Sequence, residues 1–147
     1  MQAAKILKGI TKFEEFDFNT LKLYRKDGFC TLAKKEDLSF LYEELWFKNW
    51  EKFDINHYLV EREDGLQTII NRKDASFVYD NLWFDWWHTT KFGYYEVSLK
   101  EKINYVKKDD GTFLFSEFIP QNRIIESDNY DNKIYVLENE KICMYEL

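Results

Sequence analysis

Glu15-Phe16-Asp17-Phe18-Asn19 returns as Lys52-Phe53-Asp54-Ile55-Asn56, 37 residues further along the chain. The same spacing carries Asp27-Gly28 to Asp64-Gly65, Ser39-Phe40 to Ser76-Phe77, Leu45-Trp46-Phe47 to Leu82-Trp83-Phe84, and Trp50 to Trp87. A shift of 36 then takes Asp74-Ala75-Ser76-Phe77-Val78-Tyr79 to Asp110-Gly111-Thr112-Phe113-Leu114-Phe115, and a shift of 39 takes Tyr95-Glu96-Val97 to Ile134-Tyr135-Val136. Self-similarity at a fixed period of this size marks a repeat architecture, in which neighbouring units supply one another's core. The register divides the chain into a partial unit over 1–20, repeats over about 21–57, 58–94 and 95–133, and a second partial unit over 134–147. The expectation is one domain of stacked repeats.

Inside each copy the residues alternate as they do in half-buried strands: Leu21-x-Leu23, Tyr58-x-Val60, Tyr95-x-Val97 and Ile134-x-Val136. Asp27-Gly28 and Asp64-Gly65 follow the first two as hairpin dipeptides that tolerate positive φ, and Lys100-Glu101 and Asn139-Glu140 stand in the same place later. A returning strand runs through Leu32, Ile69, Tyr105 and Met144. It ends at Asp37, Asp74 or Asp110, whose carboxylates can accept a backbone N–H two residues on. Phe40, Phe77 and Phe113 share the next position and are expected in the core. The aromatic stretches Glu43–Phe53 and Asp80–Phe92 read as irregular connections with room for one helical turn. The fold class is therefore all-β, built of antiparallel hairpin repeats.

Composition narrows the function. The chain has 147 residues with 13 Phe, 10 Tyr and 5 Trp against a single Pro, which excludes disorder and a linker protein. A formal charge of −6 argues against nucleic acid as the partner. There is no apolar run long enough to span a membrane and no signal-peptide pattern, so no membrane association and a cytoplasmic location are expected. Cys30 and Cys143 stand far apart, outside any metal-ligand or redox spacing, and read as small apolar residues.

Phe92-Gly93-Tyr94-Tyr95-Glu96-Val97, Lys102-Ile103-Asn104-Tyr105-Val106 and Asp110-Gly111-Thr112-Phe113-Leu114, preceded by Leu82-Trp83-Phe84-Asp85, resemble the WG-type β-repeat family, as a short and degenerate array. No Trp-Gly dipeptide occurs, and Asn56 stands where Gly93 stands one copy later. The resemblance implies β-hairpin repeats and supplies no catalytic residue.

The residues themselves point the same way. His57 and His88 occupy non-equivalent places, and no phosphate loop, nucleophile elbow or zinc motif is present. No catalytic residue, metal site or cofactor is expected, and the chain reads as a non-enzymatic binding protein, a small inhibitor or sequestering factor acting through a repeat-built surface. The best anchor for a protein partner is Trp86, which replaces Asn49 of the preceding copy beside an insertion, together with His88 and Lys91. A second reading uses Lys35, Arg72 and Lys108, equivalent positions that would form a basic row for a nucleotide or another small anion. A third, weaker reading is a glycan binder that uses the aromatic rings.

Overall fold

The computed structural model describes residues 1–126 and 132–147, so the end of the repeat over 95–133 lies partly outside the described chain. Two compact units, Met1–Asp80 and Asn81–Leu147, hold two antiparallel sheets each. In the first unit, β1 (Lys12–Asp17), β2 (Thr20–Tyr24) and β3 (Cys30–Lys34) form the first sheet, and β4 (Asn49–Asp54), β5 (His57–Glu61) and β6 (Gln67–Asn71) form the second. In the second unit, β7 (Trp86–Thr89), β8 (Tyr94–Leu99), β9 (Lys102–Lys107) and β10 (Ile119–Pro120) form the third sheet. The fourth sheet is β11 (Ile124–Glu126), β12 (Lys133–Glu138) and β13 (Lys141–Glu146). A 3₁₀ turn at Gln121–Arg123 is the one helical element among the described residues. The protein is all-β, as its alternation requires, and it forms separate small meanders in place of one continuous sheet.

Local chemistry explains the recurring motif. Asp17 and Asp54 each accept the backbone N–H two residues ahead, from Asn19 and Asn56, both at 2.9 Å. That bond closes the tight β1–β2 and β4–β5 connections, where the strand registers shift by a bulge between Glu15 and Asp17 and between Lys52 and Asp54. At the far end, Asp37, Asp74 and Asp110 do the same for Ser39, Ser76 and Thr112 at 2.9, 3.0 and 3.0 Å. These turns place Leu38, Ala75 and Gly111 at φ of 60°, 60° and 75°, a conformation in which only the glycine is unstrained. Lys100-Glu101 and Asn139-Glu140 both take positive φ at two consecutive residues, as the shortest hairpin turns demand.

Register assigns each side chain to a face. Directly opposed residues share a face, which gives one column of Phe13–Leu23–Thr31, Trp50–Val60–Thr68, Trp87–Val97–Asn104 and Ile124–Val136–Cys143. We call this the inner face. The next column, on the outer face, is Glu14–Lys22–Leu32, Glu51–Leu59–Ile69, His88–Glu96–Tyr105 and Ile125–Tyr135–Met144. Within the first unit, the inner face of the second sheet sits on the outer face of the first: the wholly buried Trp50 donates its indole N–H to the Cys30 carbonyl at 2.9 Å, and Phe16 meets Tyr58 edge-on at 5.6 Å. Within the second unit the same relation recurs, with Ile134, Val136 and Ile124 of the fourth sheet packed with Ile103 and Tyr105 of the third.

Two expectations are corrected. The aromatic stretches hold no helical turn; their second halves are β4 and β7, the first strands of the second and third sheets. The sheets therefore open at Lys12, Asn49 and Trp86, nine residues ahead of the repeat starts at 21, 58 and 95. Phe77 and Phe113 are 49% and 42% exposed, so they are not core residues. They and Phe40 each meet the last long strand of their sheet through a single bridge, at Ile70, Val106 and Ala33. Tyr79 and Phe115, two residues further on, take the core positions instead.

Candidate functional site

Two of the three residues expected to bind a protein partner, Trp86 and His88, fall on β7, which among the described residues pairs with β8 alone and so is an edge strand of the third sheet. Trp86 and His88, two residues apart on one strand, point to the same outer face. Their rings stack at 4.2 Å between centroids and 29° between planes. Trp86 is half-buried and His88 exposed, so the pair forms an aromatic ledge with one face towards solvent. Lys91, also exposed, lies beyond the strand in the bend before Tyr94. Asn49 and Glu51 hold the equivalent places in the second sheet, where no aromatic ledge forms. Trp87, between the two, turns to the inner face and is buried against Phe84 and Tyr95.

The basic positions have structural partners. Lys35, in the first unit, forms an ion pair with Glu15 at 2.8 Å. Arg72 places its guanidinium 4.6 Å above the Tyr58 ring and donates from Nε to the His57 carbonyl at 3.3 Å, while its own carbonyl accepts the Tyr42 hydroxyl. Lys108, in the second unit, repeats that arrangement: its ammonium lies 4.9 Å from the centre of the Tyr95 ring and donates to the Thr90 carbonyl at 3.2 Å. A cation over the tyrosine of the second strand is thus a repeated packing device, with attraction to the ring face as its cause. Arg72 also borders a recess of about 450 Å³ together with His57, Lys73 and Asp74. Hydrogen bonds from the Ser76 hydroxyl and backbone N–H hold the Asp74 carboxyl below its ordinary range, so this recess carries both signs of charge.

One cluster escaped the sequence. In the outer-face column of the third sheet, His88 opposes Glu96 and Glu96 opposes Tyr105. The Tyr105 ring is almost fully buried, and its hydroxyl donates to Glu126 at the end of β11. Glu96 also hydrogen-bonds Glu126. Burial first, then that bond and the Glu126 charge, push the Glu96 carboxyl up from its ordinary 4.5 to about 8. Burial, with the same two carboxylates, also pushes the Tyr105 hydroxyl far up. The sequence offers no signal for this contact, because Glu96 and Glu126 are 30 residues apart and meet only through packing of the fourth sheet on the third. Adjacent carboxyls of this kind hold a proton at neutral pH and fasten the two sheets.

Cys30 is fully buried, and burial raises its thiol to about 11; Cys143 is half-buried, and both thiols are free. Among the described residues, no group of three or more His, Cys, Asp or Glu side chains could hold a metal ion, and no helix is long and apolar enough to cross a membrane.

No family model and no curated protein sequence matches the chain. Among solved structures, the computationally designed Ika4 protein is similar at a TM-score of 0.50 and 11% identity, over 99% of this chain and 96% of its own. The computationally designed Ika8 protein matches at a TM-score of 0.48 and 12% identity over 94% of this chain, which spans 46% of that protein's length. At these identities the likeness concerns the fold alone.

Proposed function

We propose that the chain is a non-enzymatic protein-binding module, an inhibitor or sequestering factor of the cytoplasm, that engages its partner through the β7 edge of the third sheet. The observation that carries this reading is the Trp86–His88 stack on an edge strand. An edge strand has unpaired backbone donors and acceptors for an incoming extended segment, and the aromatic ledge beside it supplies apolar contact area. Lys91 adds a positive charge at the end of the same edge. The resemblance to WG-type repeats supports the reading, since repeated positions there serve the scaffold.

A nucleotide or other small anion at Lys35, Arg72 and Lys108 is the second reading, favoured only by the recess that Arg72 borders. Affinity capture from the native host, with Trp86→Ala and Arg72→Glu as parallel baits, separates the two. The proposal expects a protein captured by the wild type and by Arg72→Glu and lost with Trp86→Ala, while the circular dichroism of all three baits is the same. Capture unaffected by Trp86→Ala overturns it. A nucleotide that raises the wild-type melting temperature and leaves that of Arg72→Glu unchanged supports the second reading instead.

A further inference from the structure

The fourth sheet leaves its outer face open. Ile125, Leu137, Ile142 and Met144 are 71%, 51%, 76% and 51% exposed, and the register sets them on one side with Tyr135. Four large apolar side chains on one small sheet face form a contiguous patch of the kind that marks an interaction surface. Its border carries the opposed pair Lys133 and Glu146.

What fits such a face is visible twice inside the chain. In each unit, the outer face of one sheet is covered by the inner face of the next, and the first-strand residue of the inner column takes part in the contact. Trp50 reaches the Cys30 carbonyl of the first sheet, and Ile124 packs against the cluster built on Ile103 and Tyr105. The corresponding residue of the first sheet is Phe13, opposite Leu23 as Trp50 is opposite Val60. Trp50 and Trp87 are 0% and 3% exposed, whereas Phe13 is 68% exposed. The fourth sheet thus has an uncovered outer face, and the first sheet has one unseated aromatic, Phe13, at the margin of a column whose Leu23 and Thr31 are already buried.

We propose that these two surfaces recognise each other between molecules: the outer face of the fourth sheet takes the exposed Phe13 margin of the first sheet of a second copy. The junction continues the contact already made between the first and second sheets and between the third and fourth. It is head-to-tail, since the two surfaces differ, and a head-to-tail contact builds a ring or a chain of copies. It uses neither Trp86, His88 nor Lys91, so it stands independently of the partner edge described above.

Sedimentation equilibrium on the wild type and on Phe13→Asp and Ile142→Asp tests it. Both substitutions lie at exposed positions, and unchanged far-ultraviolet circular dichroism verifies their folding. The wild type is expected to self-associate with rising concentration, and each variant alone to remain a monomer. Mixing the two variants restores one intact junction, because the mixture still holds an unaltered fourth sheet on Phe13→Asp and an unaltered first sheet on Ile142→Asp. A one-to-one heterodimer in that mixture is the expected result. A wild type that stays monomeric up to its solubility limit overturns the proposal. So does a Phe13→Asp variant that still dimerises by itself, since that would mean the fourth sheet pairs with its own kind.

Discussion

The second and third sheets share a register and differ in chemistry. Their inner columns are near copies: Trp50–Val60–Thr68 in one and Trp87–Val97–Asn104 in the other, all buried. Their outer columns are not. Glu51–Leu59–Ile69 buries two aliphatic side chains in the second sheet, where the third has His88–Glu96–Tyr105 with ionisable groups at every place. The difference teaches which half of the repeat specifies the fold. A tryptophan on the first strand and a valine opposite it recur in both, and in the first unit they fill the space between the stacked first and second sheets. The outer column varies, and in the third sheet Glu126 of the fourth sheet accepts from its buried Tyr105 hydroxyl.

The largest effect that could break this comparison lies in the inner column. Replacing Trp87 by Ala is expected to destabilise the protein by about 3–5 kcal/mol, the cost of emptying a core aromatic site. Trp86→Ala, one residue away on the opposite face, should cost under about 1 kcal/mol. Urea unfolding of the two variants measures both, and equal losses would show that the faces are misassigned.

The next effect depends on pH. Because the folded state holds Glu96 protonated up to about 8 while the unfolded chain releases that proton near 4.5, the folded state binds more protons between these values. Stability from this site is fully present below the lower value and is lost as pH rises through the upper one. Glu96→Gln, which stays neutral, should flatten that decline, as chemical denaturation at a series of pH values would read. Leu59, at the same register position of the second sheet, has no titration to contribute, and Leu59→Met should leave the decline as it is in the wild type.

The smallest effect concerns a turn that the two sheets solve differently. The second sheet ends with Ala75 at φ 60°, and the third with Gly111 at φ 75°. Ala75→Gly relieves strain of about 1 kcal/mol, partly offset by the greater freedom of glycine in the unfolded chain. Its melting temperature should equal or slightly exceed that of the wild type, and a fall of several degrees would mean that the Ala75 methyl packs more than its turn strains.

Much of this was legible from local chemistry. The Asp-x-Asn and Asp-x-Ser/Thr turns and the Asp-Gly hairpins were readable because each is closed by side chains within two residues of the backbone they bond. Alternation at Tyr58-x-Val60 and Tyr95-x-Val97 identified the central strands for the same reason, since one residue in two meets the core. The first strands were hidden. In β4 a bulge after Lys52 breaks the alternation, and in β7 Trp86 and Trp87 put aromatics on both faces, so neither stretch shows a period of two. The core place expected for Phe77 goes to Tyr79, because both are aromatic and only packing decides which one turns inward. The Trp86–His88 ledge was half legible: the departure from Asn49 singled out Trp86, and the strand geometry that stacks His88 on it was not apparent.

The account rests above all on the register of β7 against β8, which sends Trp87 inward and sets Trp86 and His88 on the outer ledge. Cross-strand nuclear Overhauser contacts in the isotopically labelled protein read that register directly. The account predicts contacts of Trp86 with Ser98, Trp87 with Val97 and His88 with Glu96. Contacts displaced by one residue, with His88 opposite Val97, would reverse every face of β7 and contradict it.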